Sequence, residues 1–242
     1  MKGDVQRETL TFAGPPRAAA AHASLDASVG RIVPVTLSIE GRVAGYRADV
    51  RRSGDGGSEI RLHLPSETPP GRYGGHATVG GEQRKVVVLV EPHSRLRVRP
   101  EETVVSAAAG AHVDFSIELI NAGNVVFDVP KVGTFDLNAS EGQDRALGRA
   151  LRARLEPDER RVDRFFEELR EMHGGEARIE VMSGAGAVEP GTSRELRCRL
   201  NLPDMMRPGS SYEGTWDLDS AMHTIIVAVT DAAPRTRGRT VQ

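Results

Sequence analysis

Residues 60–78 read IRLHLPSETPPGRYGGHAT and residues 198–216 read CRLNLPDMMRPGSSYEGTW, and these two stretches share one order of features. In each stretch an alternating strand ends in Leu-Pro, a Pro-Gly turn follows, and Tyr and Gly begin another strand. A terminal strand closes each copy, VVVLVEP in the first and TIIVAVT in the second. Two copies of one unit predict two domains, the first over residues 1–92 and the second over residues 93–232.

Outside these stretches, apolar and polar residues mostly alternate with a period of two, as in Val113–Leu119 and Leu196–Leu202. Because successive side chains of a strand point to opposite faces, this pattern predicts half-buried strands. Gly80–Gly81 has the composition of a hairpin turn. Val33–Ile39 matches Val113–Leu119 loosely, which extends the repeat to the front halves of both units. Further strand candidates are Arg7–Phe12, Ala20–Leu25, Ile32–Ile39, Ala44–Val50, Lys85–Val90, Arg95–Arg99, Val125–Val129, Ala177–Val181 and His223–Val229.

The period changes from two to that of a helix over residues 140–174. Ser140 and Gln143 have the spacing of a capping box, and leucines 147, 151 and 155 follow at intervals of one helical turn. Pro157 separates this helix from a second one, which Gly174 is suited to cap. The second helix has an apolar face, formed by Val162, Phe165, Phe166, Leu169 and Met172. We expect this face to pack on the strands of the second predicted domain. The predicted fold is therefore mainly β, with two tandem antiparallel β-sandwiches, a two-helix insertion at 140–174 in the second, and a flexible tail at 233–242.

The composition is that of a soluble globular protein, with 38% hydrophobic and 27% charged residues. The net charge of −2 provides no global basic field for nucleic acid. The single cysteine excludes an intramolecular disulfide bond, which fits a reducing compartment. No apolar run is long enough for a signal peptide or a membrane-spanning helix. If residue 1 is the natural start, we expect a cytoplasmic protein.

A search for chemistry predicts no catalytic, cofactor-binding or metal-binding residues. Cys198 lies on the apolar side of a strand, where a thiol is unreactive. The seven histidines form no pair with the close spacing of zinc ligands. Residues 136–147 resemble a calcium loop at first, but Glu141 and Leu147 occupy the positions that require glycine and glutamate. We therefore expect a protein that is not an enzyme, with an enzyme whose site residues are scattered along the chain as the remaining alternative.

The charged residues of the helical segment form the candidate partner-binding surface. Arg145, Arg149 and Arg152 make the first helix locally basic, whereas the second helix is acidic overall. The two charges either pair with each other, coat a solvated surface, or dock a protein partner. A second candidate surface is aromatic, because carbohydrate-binding sandwiches use exposed rings. Its candidates are Tyr46, Tyr73, Tyr212 and Trp216. Tyr73 and Tyr212 occupy nearly equivalent repeat positions, which suits a structural ring at a strand corner.

Three stretches resemble bacterial immunoglobulin-like (Ig-like) or fibronectin-like accessory domains: PPGRYGG…VVVLVEP, RVRPEETVVSAAAGAHVDFSIELINAGN and RPGSSYEGTW. Such domains have a Pro-Gly-x-Tyr-x-Gly step before the penultimate strand and an Asn-x-Gly-Asn turn after an early strand. The resemblance implies the fold, and a role follows only by analogy. It favours a non-catalytic interaction or assembly protein that binds a protein partner or itself. A carbohydrate-binding or cell-envelope accessory module is the alternative.

Overall fold

The chain is mainly β and falls into two compact units. The structure is a computed structural model that describes residues 9–23, 25, 29–52, 57–140, 142–154 and 160–231, without the side chains of 142–146 and 168–171. By its internal contacts, unit 1 comprises residues 1–95, 121–127 and 189–192. Unit 2 comprises residues 96–120, 128–188 and 193–242.

Unit 1 contains a seven-stranded barrel that closes on itself. Its strands are β1 (Leu10–Gly14), β2 (Ala19–Ala23), β3 (Ile32–Ile39), β4 (Arg42–Arg52), β5 (Ser58–His63), β6 (Gly71–Val79) and β7 (Glu82–Val90). Their order is β1-β2-β5-β4-β3-β6-β7, and β1 completes the ring by pairing in parallel with β7. Alternate apolar residues of every strand fill the interior, including Phe12, Leu37 and Val88. Closure leaves this sheet without an open edge.

The Asn121–Asn124 turn supplies internal hydrogen bonds to unit 1. The Asn124 side-chain amide donates to the carbonyls of Thr68 and Glu91, each at 3.0 Å, and its oxygen accepts the backbone N–H of His93. Asn124 itself is 2% exposed. A Cβ on Gly123 would collide with the His93 carbonyl oxygen, so glycine is required at that position. The Asn-Ala-Gly-Asn sequence therefore serves packing and hydrogen bonding within the fold.

Unit 2 contains an eight-stranded sheet. Its strands are β8 (Leu96–Arg99), β9 (Glu102–Ala107), β10 (His112–Asn121), β12 (Val132–Ala139), β13 (His173–Ser183), β15 (Ser193–Asn201), β16 (Ser211–Leu218) and β17 (Ala221–Val229). The order is β8-β10-β15-β13-β12-β16-β17-β9, with β9 parallel to β17. The short strands β11 (Phe127–Val129) and β14 (Gly186–Val188) form a separate pair. The strand β14 lies within the glycine-rich segment 184–191.

The two sheets repeat one strand order. The barrel of unit 1 can be read from β2 as β2-β5-β4-β3-β6-β7-β1. The sheet of unit 2, read from β10, has the order β10-β15-β13-β12-β16-β17-β9. Each strand of the first order then corresponds to the strand at the same place in the second. The two Leu-Pro strands, β5 and β15, are equivalent in this alignment. Val33–Ile39 is equivalent to Val132–Ala139, so its sequence match to Val113–Leu119 was wrong. Alternation alone cannot distinguish one half-buried strand from another.

The helices occupy the place of a hairpin turn. In unit 1, β3 and β4 are joined by Glu40 and Gly41, whose positive φ angles of 48° and 78° suit a two-residue turn. In unit 2 the equivalent strands, β12 and β13, are separated by α1 (Gly142–Arg152) and α2 (Arg161–Met172). The side chains of Gln143 and Leu169, and residues Leu155 and Pro157, lie outside the described residues. Gly174 does not cap α2, because α2 ends at Met172 and His173 begins β13.

Several features predicted from the sequence can be compared directly with the structure. Gly80 and Gly81 form the expected turn between β6 and β7, with φ angles of 58° and 83°. Cys198 is buried, as its position on the apolar side of a strand predicted. The strands of both sheets pair antiparallel, as predicted, except for one parallel pair in each sheet, β1 with β7 and β9 with β17, and the first sheet closes as a barrel. The domain limits 1–92 and 93–232 stay a prediction, and the tail 233–242 lies outside the described residues.

Candidate functional site

The helices α1 and α2 pack against each other as a helical pair. The guanidinium Nη1 of Arg161, the first residue of α2, donates to the carbonyl oxygens of Leu151 at 2.7 Å and Ala150 at 3.3 Å. These carbonyls belong to the last turn of α1, which has no intrahelical partners for them. The start of α2 therefore lies beside the end of α1. Ala150 is buried, and α2 meets the sheet where it runs into β13.

Four large apolar side chains of the helical pair face solvent, and we call them the helical-pair patch. They are Leu147, Leu151, Val162 and Phe166, which are 47%, 57%, 58% and 55% exposed. Each helix contributes two residues one turn apart, so each pair lies on one side of its helix. Among the described apolar residues of α2, only Met172 is buried and Phe165 is half-buried. The prediction that Val162 and Phe166 pack on the second sheet was therefore wrong.

The three arginines proposed to bind a partner have different surroundings. The backbone of Arg145 lies in α1, and its side chain is outside the described residues. Arg149 is half-buried. Arg152 is exposed, and its Nε donates to the Gly148 carbonyl one turn earlier at 2.9 Å. Arg149 and Arg152 both lie in the last turn of α1, where positive charge favours the helix dipole.

On α2 the described acidic side chains pair with arginines three residues earlier in the chain. Arg160 donates to both carboxylate oxygens of Asp163, at 2.9 and 3.2 Å, and Arg164 pairs with Glu167 at 3.1 Å. The carboxylates remain substantially exposed, with 49% of the Asp163 side chain and 55% of the Glu167 side chain accessible. Exposed pairs of this kind contribute little stability.

The residues considered above as a nucleophile, a helix cap or metal ligands lie in surroundings that give them no chemical role. Cys198 is 1% exposed, and burial raises the pKa of its thiol to about 12, so little thiolate exists near neutral pH. Ser140, the proposed helix cap, shares a hydroxyl hydrogen bond with Ser211 at 3.3 Å. Within the described part of the chain, no three His, Cys, Asp or Glu side chains stand close enough together to hold a metal ion.

His223 is a buried polar residue that the sequence did not single out. Its ring is fully buried and stacks on Phe115, with ring centroids 6.0 Å apart. Among the described residues, neither ring nitrogen finds a partner of good hydrogen-bond geometry. Burial lowers the pKa of His223, although the nearby backbone of Pro100 and Glu101 partly opposes this effect. The one sequence signal was its position in the alternation of β17, between Met222 and Thr224.

The aromatic candidates for carbohydrate binding are structural. Trp216 and Tyr212 are each 2% exposed, and Tyr46 and Tyr73 are half-buried against the core of unit 1. The Tyr73 hydroxyl donates to the Pro69 carbonyl at 2.7 Å, and the Tyr212 hydroxyl accepts the Arg207 N–H at 3.1 Å. Both tyrosines thus fix the turn that precedes their own strand, as their repeat positions predicted. The rings of Trp216 and Tyr212 are therefore buried too deeply to stack on a sugar.

Two cavities lie within unit 1. One of about 550 Å³ is lined by Val29, Gly30, Arg31, Val50, Arg51 and Arg52. The other, of about 250 Å³, is lined by prolines 15 and 16 and by Arg17, Ala18, Ser66, His93, Arg95 and Ala122. The charged side chains of the first lining are all arginines, and the second lining includes Ser66 and His93.

Comparisons with known proteins give distant likenesses of structure. No family model matches the chain, and no curated protein matches it. The I-band fragment I67–I69 of titin is similar over 93% of this chain and 62% of its own, at 11% identity and a TM-score of 0.36. The structure of Dpr11 Ig1 bound to DIP-gamma is similar over 92% of this chain and 96% of its own, at 11% identity and a TM-score of 0.31. A Porphyromonas gingivalis W83 protein of unknown function is similar over 91% of this chain and 96% of its own, at 12% identity and a TM-score of 0.30. Likenesses this distant assign neither a family nor a function.

The structure itself defines the class of fold to which this chain belongs. The chain is a mainly β protein of two units with one strand order, and a pair of helices stands between two strands of the second. Of the helices described, neither has the length and apolar character to cross a membrane.

Proposed function

We propose that this chain is a non-catalytic protein-interaction or assembly protein, built on two tandem Ig-like β-sandwich domains. The domains correspond to residues 1–92 and 93–232, and the insertion at 140–174 distinguishes the second from the first. The repeated strand order supports a common frame, because the same seven-strand path occurs with and without the helices. A segment that one copy of the frame lacks is free to serve recognition.

The observation that carries this proposal is the helical-pair patch. Its four apolar side chains are 47–58% exposed, beside a basic turn of α1 and exposed carboxylates on α2. Apolar side chains rimmed by charge are typical of a protein-binding surface. Arg145, Arg149 and Arg152 form the basic part of the proposed surface.

Affinity capture of the full chain from its native lysate tests the proposal. One variant replaces Arg145, Arg149 and Arg152 with Glu, and a second carries Leu151→Ser and Phe166→Ser. Both should lose the captured protein. The matched control reverses Arg42, Arg47 and Arg72, which are exposed on the strands of unit 1, and should retain it. Capture that survives both helix variants would place recognition elsewhere on the chain.

A further inference from the structure

His223 lies beneath the connection between the two edge strands of the unit 2 sheet. The strands β8 and β9 form opposite edges of that sheet, yet they follow each other in the chain and are joined by Pro100 and Glu101. The His223 ring is fully buried, and the backbone of these two residues lies against it. The connection therefore helps to keep water from the ring.

The side chains around His223 bring no charge to it. Phe115 of β10 stacks on the ring, and the residue opposite His223 on β16 is the buried Trp216. The buried residues of β8 and β9 are apolar. The ionisable residues that flank these positions are all exposed, namely Arg99, Glu101, Glu102, Asp114 and Asp217. Within the described part of unit 2, no carboxylate therefore faces the ring to balance a positive charge.

Protonation would place a charge and a second N–H group in this buried position. Among the described residues, neither ring nitrogen has a partner of good hydrogen-bond geometry, so the protonated ring would be poorly satisfied. Burial lowers the pKa of His223, and the backbone of Pro100 and Glu101 opposes this effect only in part. A ring that water reaches takes up its proton at the ordinary pKa of 6.5. Acid therefore favours a state in which the ring is exposed.

The connection and β9 are the part of this cover that is held least firmly. Among the described strands, β9 pairs with β17 alone, whereas β10 and β16 each pair on both sides. At the connection, the Thr224 N–H donates to the Glu101 carbonyl at 3.0 Å, and the Leu96 N–H donates to the Ser220 hydroxyl at 2.9 Å. Edge segments with few bonds open at a lower free energy than central strands.

We propose that His223 is an acid-sensitive switch, whose protonation releases the Pro100–Glu101 connection and the start of β9 from β17 while the central strands of the sheet stay folded. Release uncovers the edge of β17 that β9 occupies at neutral pH. The switch belongs to the β frame of unit 2 and does not depend on the helical-pair patch.

Amide hydrogen exchange of the full chain, followed by NMR at about pH 7.5 and about pH 5 and corrected for the intrinsic effect of pH, tests the inference. The Thr224 amide reports release, because it binds the Glu101 carbonyl. The Val181 amide donates to the Lys131 carbonyl at 2.8 Å and reports opening of the central strands. Protection of Thr224 should fall by up to about thirtyfold on acidification, the limit for a ring that is protonated only when exposed. Low urea should accelerate exchange at Val181 but not at Thr224, because urea acts in proportion to the surface exposed.

Two histidine variants provide the comparison. His223→Gln should abolish the acid response of Thr224, and His173→Gln, which changes an exposed histidine of β13, should retain it. If His223→Gln does not fold, His223→Phe takes its place with the same expected result. Unchanged Thr224 protection in acid overturns the switch, as does a response that survives the loss of His223. Equal protection and equal urea dependence of Thr224 and Val181 at about pH 5 would mean that the whole unit unfolds, which overturns local release.

Discussion

At the scale of single residues, the structure depends on buried polar groups that the alternation of strands does not reveal. Cys198 was predicted to be buried because a period of two fixes the side of a strand, and it is buried. The surroundings of Asn124 and His223 could not be predicted in this way. Their partners come from residues far along the chain, such as Thr68 and Phe115, and only the folded structure brings these together.

Asn124→Ala should destabilise the chain substantially. The substitution removes the two bonds donated to the Thr68 and Glu91 carbonyls and the one accepted from His93, and leaves these groups without their partner. Unsatisfied buried groups cost about 1–3 kcal/mol each, so we expect a loss of about 2–4 kcal/mol in the free energy of unfolding after partial rescue by water. Urea unfolding measures the loss. Asn201→Ala, which removes only a marginal exposed bond of 3.5 Å, is the control and should change stability by less than about 0.5 kcal/mol. Equal effects of the two substitutions would contradict the role of Asn124.

The burial of His223 should make stability depend on pH in the acid range. Burial lowers its pKa in the folded state below the ordinary value of 6.5. Above that value both states are neutral, and His223 causes no pH dependence. As the pH falls through it, the unfolded state takes up the proton first, so stability declines until the folded pKa is passed. Urea midpoints from about pH 7.5 to about pH 5 should fall less for His223→Gln than for the wild-type chain. Parallel curves for the two proteins would show that His223 does not contribute.

At the scale of elements, the sequence predicted the regular strands and both helices better than it predicted how they pack. The glycine turn at 80–81 and the change of period near residue 140 were clear signals. The strands Glu102–Ala107 and Val132–Ala139 were not predicted, because the first buries only Val105 and the second contains Gly133 within a short apolar pattern. The predicted packing of α2 on the second sheet was wrong, because a stripe of apolar residues shows which side of a helix is apolar but not what covers that side.

Reversing the charge of Arg149 and Arg152 on α1 should leave the stability of the fold nearly unchanged. Arg152 is exposed, and Arg149 is half-buried on a helix that packs mainly on another helix. Exposed charge substitutions usually change stability by about 0.5 kcal/mol or less. Thermal unfolding of Arg149→Glu, Arg152→Glu should therefore give a melting temperature close to that of the wild-type chain. A large decrease would mean that the arginines hold the helices in place and are not reserved for a partner.

At the scale of the whole molecule, the repeat in the sequence corresponds to the repeat of strand order. The equivalent strands β5 and β15 come from the Leu-Pro motifs, and the aligned tyrosines fix the turns before β6 and β16. The limits of the units were harder to predict. Residues 121–127 and 189–192 belong to unit 1 by their contacts, although they follow the proposed boundary at residue 92.

A fragment of residues 1–92 should fold, but less stably than the same residues in the full chain. It keeps all seven strands of the closed barrel and its core. It lacks Asn124, which binds the Thr68 and Glu91 carbonyls. Thermal unfolding followed by circular dichroism should show a cooperative transition at a lower temperature than for the full chain. A disordered fragment would mean that the two proposed domains do not fold independently.

Site-specific photo-crosslinking tests most directly whether recognition lies on the helical pair. A photoreactive residue is placed at Leu151 in one full-length variant and at Val43 in another, because both positions are exposed, at 57% and 74%, and Val43 lies on the barrel of unit 1. Each protein is irradiated in its native lysate. A protein adduct at position 151, whether a second copy of this chain or another protein, and none at position 43 is the predicted result. An adduct at position 43 with none at position 151 would contradict recognition by the helices.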